Sequence, residues 1–75
     1  MPYEALPELL AYLRRRLDEL PPSPGVVKQA SNLMTIYPRE DLPDWVEALA
    51  NGDPDHIEDT VDEVRRHMKA EEMQE

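Results

Sequence analysis

Leu6, Leu9, Leu10, Leu13, Leu17 and Leu20 fall at i, i+3, i+4, i+7, i+11 and i+14, a spacing that puts them all on one helical face. It predicts a first helix with Pro7 in its opening turn, where a missing N–H is no loss, ending ahead of Pro21-Pro22. On its outer face Arg14 with Asp18 and Arg15 with Glu19 form i,i+4 pairs. Ser23 followed by Pro24 reads as N-cap and first residue of a second helix reaching about Tyr37. Its apolar face is Val26, Val27, Ala30, Leu33, Met34 and Tyr37, opposed by Lys28, Gln29, Asn32 and Thr35. A short strand over 33–37 competes for the end of that segment, because β-branched residues occur there.

Asp41 with Asp44 resembles a capping arrangement for a short third helix, with Pro43 in the first turn and Leu42, Trp45, Val46 and Leu49 as its apolar face. Asn51-Gly52 predicts a left-handed C-terminal cap, and Asp53-Pro54 an N-cap and first residue for a fourth helix to about Lys69. Ile57, Val61, Val64 and Met68 make a narrow stripe on that helix, and residues 71–75 have little apolar support and should fray. The expectation is an all-α fold: one small domain over residues 1–70, about four short helices in a bundle-like or orthogonal arrangement, with 71–75 as its tail.

At 75 residues the chain buries only roughly 60% of its unfolded surface, so each large apolar side chain matters. With no phenylalanine and a single tryptophan, the core is thin and unsuited to an enclosed small-molecule cavity. The absence of cysteine excludes disulfides and thiolate metal sites and favours a reducing, cytoplasmic setting. Neither a secretory leader nor a membrane-spanning stretch is recognisable, so a soluble protein is expected.

Charge changes the picture most. The 17 acidic residues outnumber the 8 basic ones, for a net charge of -9, and the excess is local. Glu4, Glu8, Asp18 and Glu19 are nearly balanced by Arg14, Arg15 and Arg16, and residues 21–37 contain only Lys28. From Glu40 to Glu63 there is no lysine or arginine, but there are Glu40, Asp41, Asp44, Glu47, Asp53, Asp55, Glu58, Asp59, Asp62 and Glu63. Glu58 with Asp62 and Asp59 with Glu63 are like-charged i,i+4 pairs, which cost helix stability. Such a run is either a solvated face or a surface for a basic partner.

No motif for catalysis, a metal or a cofactor accompanies the run. His56 and His67 return to nearly one face, but at ~1.5 Å per residue they stand about 16 Å apart, too far to share an ion. Asp53, Asp55 and Glu63 fail the calcium-loop pattern, since Glu58 stands where the turn glycine belongs and Val64 where the last glutamate ligand belongs. His56-Ile57-Glu58 matches half of a zinc-deaminase signature whose cysteine half is missing. Ser23 and Ser31 have no neighbouring base in sequence. No enzymatic activity is expected. Pro21-Pro22-Ser23-Pro24 reads as a linker, and the arginine triplet is a poor nucleic-acid footprint in an acidic chain.

Tyr37-Pro38-Arg39-Glu40-Asp41, with Ala50-Asn51-Gly52 downstream, resembles the tyrosine-proline corner of the immunity proteins that neutralise nuclease colicins, which are also small, acidic and four-helical. The likeness is confined to that short segment. Ile36 stands where that family has a second tyrosine, and a long helix follows Asn51-Gly52 where that family is nearly finished, so no membership follows.

The functional expectation is a small acidic protein-interaction module, an inhibitor or adaptor of the phage or mobile-element kind. Its carboxylates would imitate nucleic acid and dock on a basic, nucleic-acid-handling protein. The expected contacts are Asp44, Glu47, Asp55, Glu58, Asp59 and Asp62, with Trp45 as an anchor where it is not wholly buried. No direct binding of nucleic acid or membrane is expected. The alternative is a structural accessory subunit or homodimer whose acidic face serves only solubility.

Overall fold

Four α-helices follow from the apolar spacing, and no strand occurs among the described residues. The computed structural model describes residues 2–73, with side-chain exposure from Ala5 to Glu72. It comprises α1 (Pro2–Leu17), α2 (Gly25–Ile36), α3 (Asp44–Ala50) and α4 (Ile57–Met73), with 3-10 turns at Arg39–Asp41 and Pro54–His56. The fold is all-α, and Leu33 to Ile36 are helical rather than extended. Short α3 contacts both α2 and α4, while α1 packs on α2. The radius of gyration is 11.9 Å, close to the roughly 11 Å expected of a chain this long.

Every helix contributes to one core. Leu13, Leu17, Val26, Val46, Leu49 and Val64 are its largest fully buried side chains, with Ala30, Leu33, Tyr37, Trp45 and Val61 around them. The predicted face of α2 is buried as expected, with Met34 half-buried. Pro24 rather than Ser23 stands at the N-cap of α2, without a side-chain cap, and Ser23 one residue earlier accepts the Gly25 N–H on its Oγ at 3.2 Å.

The leucine face of α1 does not stay together. Leu6, Leu13 and Leu17 are buried, Leu10 is half-buried, and Leu9 and Leu20 are exposed, Leu20 at 84%. The helix ends at Leu17, short of the expected stop, where the Asp18 and Glu19 amides turn to the carbonyls three residues back, and Pro21 has no N–H to offer the Leu17 carbonyl. Arg65 of α4 donates to that carbonyl instead, at 2.7 Å. At its other end α1 begins at Pro2, which leaves Pro7 inside the helix rather than in the first turn.

The ion pairs of α1 are tertiary, not local. Arg14 reaches Glu72 at 3.7 Å and Asp18 reaches Arg65 at 3.9 Å, in place of the expected Arg14 with Asp18 and Arg15 with Glu19. Arg15 and Arg16 lie over the Tyr12 ring, 6.0 and 5.8 Å from its centre. Helix α4 continues to Met73 through Glu71 and Glu72, where fraying was expected; residues 74 and 75 lie outside the described residues.

Two further cap expectations are corrected. Asp41 belongs to the Arg39–Asp41 turn, and α3 starts behind Pro43 with no side-chain cap. Gly52 is not left-handed, since no described glycine has positive φ. What Gly52 satisfies is a close approach: a Cβ there would sit 2.2 Å from Thr60 Cγ2 and 2.9 Å from Thr60 Oγ1. Buried Thr60 needs that proximity because its hydroxyl accepts the Asp53 N–H at 3.1 Å and donates to the Asp53 carbonyl at 3.2 Å. The α3–α4 connection is thus held from inside by a threonine that no helix-end rule identifies.

Candidate functional site

The acidic surface is built outward from that connection. Asp53 caps the Pro54–His56 turn, its side chain accepting the Asp55 N–H at 2.9 Å, and the turn feeds directly into α4. Val61 and Val64 face the core, with Ile57 and Met68 partly buried beside them. At ~100° per residue, positions 58, 62, 59 and 63 then sweep an arc of about 140° around the side of α4 that faces away from the core. All four carboxylates are exposed. Glu58 and Asp59 also sit in the first turn, where the helix dipole favours negative charge.

The arc adjoins a groove on either side. On one, Glu58 and Asp62 border a groove shared with Leu20, Pro21, Pro22 and Arg65. On the other, Glu63 borders a groove between α3 and α4 with Asp44, Glu47 and His67. The α3 acids and the α4 acids therefore form one series, running from Asp44 and Glu47 through Glu63 and Asp59 to Asp62 and Glu58. Asp55 extends it at the start of α4, beside His56, Glu58 and Asp59.

Glu63 is the joint between the two groups, and it was not among the expected contacts. Its charge is plain in the sequence, but its place is not, because only the packing of α3 on α4 brings it beside Asp44 and Glu47. Trp45 goes the other way. At 4% exposure it is a core side chain, so the condition for its serving as a surface anchor is not met.

Counter-charges touch this surface at few points. Arg39 pairs with Glu47, and none of the other expected contacts is in an ion pair among the described residues. His56 turns its Nδ1 to the backbone carbonyl of Asp55 at 3.0 Å. Among the described residues, no group of three or more His, Cys, Asp or Glu side chains is placed to hold a metal ion. No helix among them is long and apolar enough to cross a membrane. What the arrangement offers chemically is a fixed field of negative charge over a rigid helical base.

No family model, curated protein or solved structure matches the chain.

Proposed function

We propose that the chain is a small acidic interaction module, an inhibitor or adaptor that docks its α3–α4 surface on a basic, nucleic-acid-handling protein. The observation that carries this reading is the continuous series Asp44, Glu47, Glu63, Asp59, Asp62 and Glu58 across two helices. The fold does not require it. The paired acids at 58 and 62, and at 59 and 63, oppose helix formation by a few tenths of a kcal/mol each.

Mechanistically the module works by charge placement alone. A row of carboxylates presents lysine and arginine side chains with the fixed negative charge they meet on a phosphate backbone, so the module and nucleic acid exclude one another from a common groove. Long-range attraction makes association fast and strongly salt-dependent. Because the carboxylates stand on a packed helix and a bonded turn, little backbone conformational entropy is lost on docking.

The test is a charge reversal. Immobilised chain retains nucleic-acid-binding proteins from a native extract at low salt, releases them at high salt, and loses them to added duplex DNA. The D55K/D59K/D62K variant, with helicity unchanged by circular dichroism, retains none. Undiminished retention by that variant would overturn the reading.

A further inference from the structure

Among the described residues, the exposed large apolar side chains of the first two helices are gathered in one place. Leu9 at 40% exposure and Tyr12 at 45% on α1, with Ile36 at 67% on α2, line a single groove between these helices with Leu13 and Leu33. Gln29 and Asn32 complete the lining, and no charged side chain enters it, although the chain carries a net charge of -9. Apolar side chains scattered singly over a surface need no explanation, but a cluster of this kind marks an interaction site. Beside it, Arg16 Nε and Gln29 Oε1 are buried with no hydrogen-bond partner.

We propose that this groove is a self-association surface, on which two copies of the chain pair α1 with α1 in antiparallel register about a twofold axis. Charge selects the occupant. A basic partner finds no carboxylate lining the groove, whereas a second copy answers the exposed carboxylate and guanidinium on its rim with the same two groups in reverse order. A second copy brings an identical uncharged lining, and the charged groups nearest the contact are the Arg15 and Arg16 guanidiniums over the Tyr12 ring. The groove belongs to α1 and α2, and the run of acids lies in α3 and α4, so pairing here keeps the acidic surfaces out of the interface.

The rim fixes the register. Positions 8 and 15 project within about 20° of each other on α1, so Glu8 and Arg15 stand on one edge of the face that carries Leu9 and Tyr12. Both are exposed, and neither is in an ion pair among the described residues. Arg15 is held towards this face by its position over the Tyr12 ring, 6.0 Å from the centre. A twofold axis between them brings Glu8 opposite Arg15 of the other copy, twice, whereas parallel pairing would set Glu8 against Glu8. The inference is independent of the acidic docking surface.

Light scattering and sedimentation equilibrium on the intact chain test it. The expected mass is about twice the 8.7 kDa of the chain, kept at high salt and kept in D55K/D59K/D62K. Ile36→Lys gives monomer with unchanged helicity. E8R and R15E each weaken association by roughly tenfold, and the E8R/R15E exchange restores it to within about threefold, as a directly coupled pair must. A monomeric wild-type chain, undiminished association in Ile36→Lys, or a double exchange no better than the single ones would overturn the proposal.

Discussion

The two halves of this chain share a core and differ in what they turn outward. In the α1–α2 half, apolar side chains exceed what the core takes in: among the described residues Leu9, Tyr12, Leu20 and Ile36 are the exposed large hydrophobics, and all precede Pro38. In the α3–α4 half, Trp45, Val46, Leu49, Val61 and Val64 are buried, and the outer positions are filled with carboxylates. A small domain has room for one modest core, so the side chains left over define its surfaces. Here the surplus separates by chemistry, apolar at one helix pair and anionic at the other.

If both surfaces rest on one core, the largest effect should come from a residue that core shares. Leu49 is 0% exposed on the helix that contacts both α2 and α4. Leu49→Ala should cost about 3 kcal/mol, with Trp45 fluorescence and far-ultraviolet dichroism reporting one common urea transition. Separate transitions would mean that the halves are independent and the contrast between them accidental. The α3–α4 junction comes next. Gly52→Ala should cost about 2 kcal/mol, read as a lower urea midpoint at unchanged slope, because the added methyl must displace buried Thr60 from its bonds to Asp53. A neutral outcome would show that the junction gives way freely and does not hold α4 against α3.

The smallest effect sharpens the contrast most. Asp62→Lys turns its repulsive pair with Glu58 into an attractive one and its attractive pair with Arg66 into a repulsive one, so stability should change by less than about half a kcal/mol at low salt and at high salt. Thermal unfolding at two ionic strengths checks this. A larger loss of stability would mean that Asp62 serves the fold, and the case for the acids as a docking surface would lose its premise.

Helix existence was readable because amphipathic spacing and proline punctuation are local signals. The buried set Val26, Val27, Ala30 and Leu33 follows directly from the period of α2. Where the reading failed, a distant residue had intervened. Leu20 falls in the leucine period, but it lies beyond the point where Pro21 withholds a donor and Arg65 supplies one from across the fold. Gly52 was recognised as necessary for the wrong reason, since the constraint is a threonine on the next helix. Trp45 lies on the apolar face that its spacing assigns it, and there packing buries it, so the condition for its use as an anchor fails.

By itself the sequence determined the helical class, the main buried stripes and the placing of the excess negative charge in the second half, because each depends on neighbours a few positions apart. Tertiary structure alone decided that Glu63 joins the α3 acids to the α4 acids, that Arg65 closes α1, and that Leu9, Tyr12 and Ile36 share an uncharged groove. Those outcomes depend on which helix faces come together. Periodicity fixes which side of a helix is buried, but not which neighbour it is buried against.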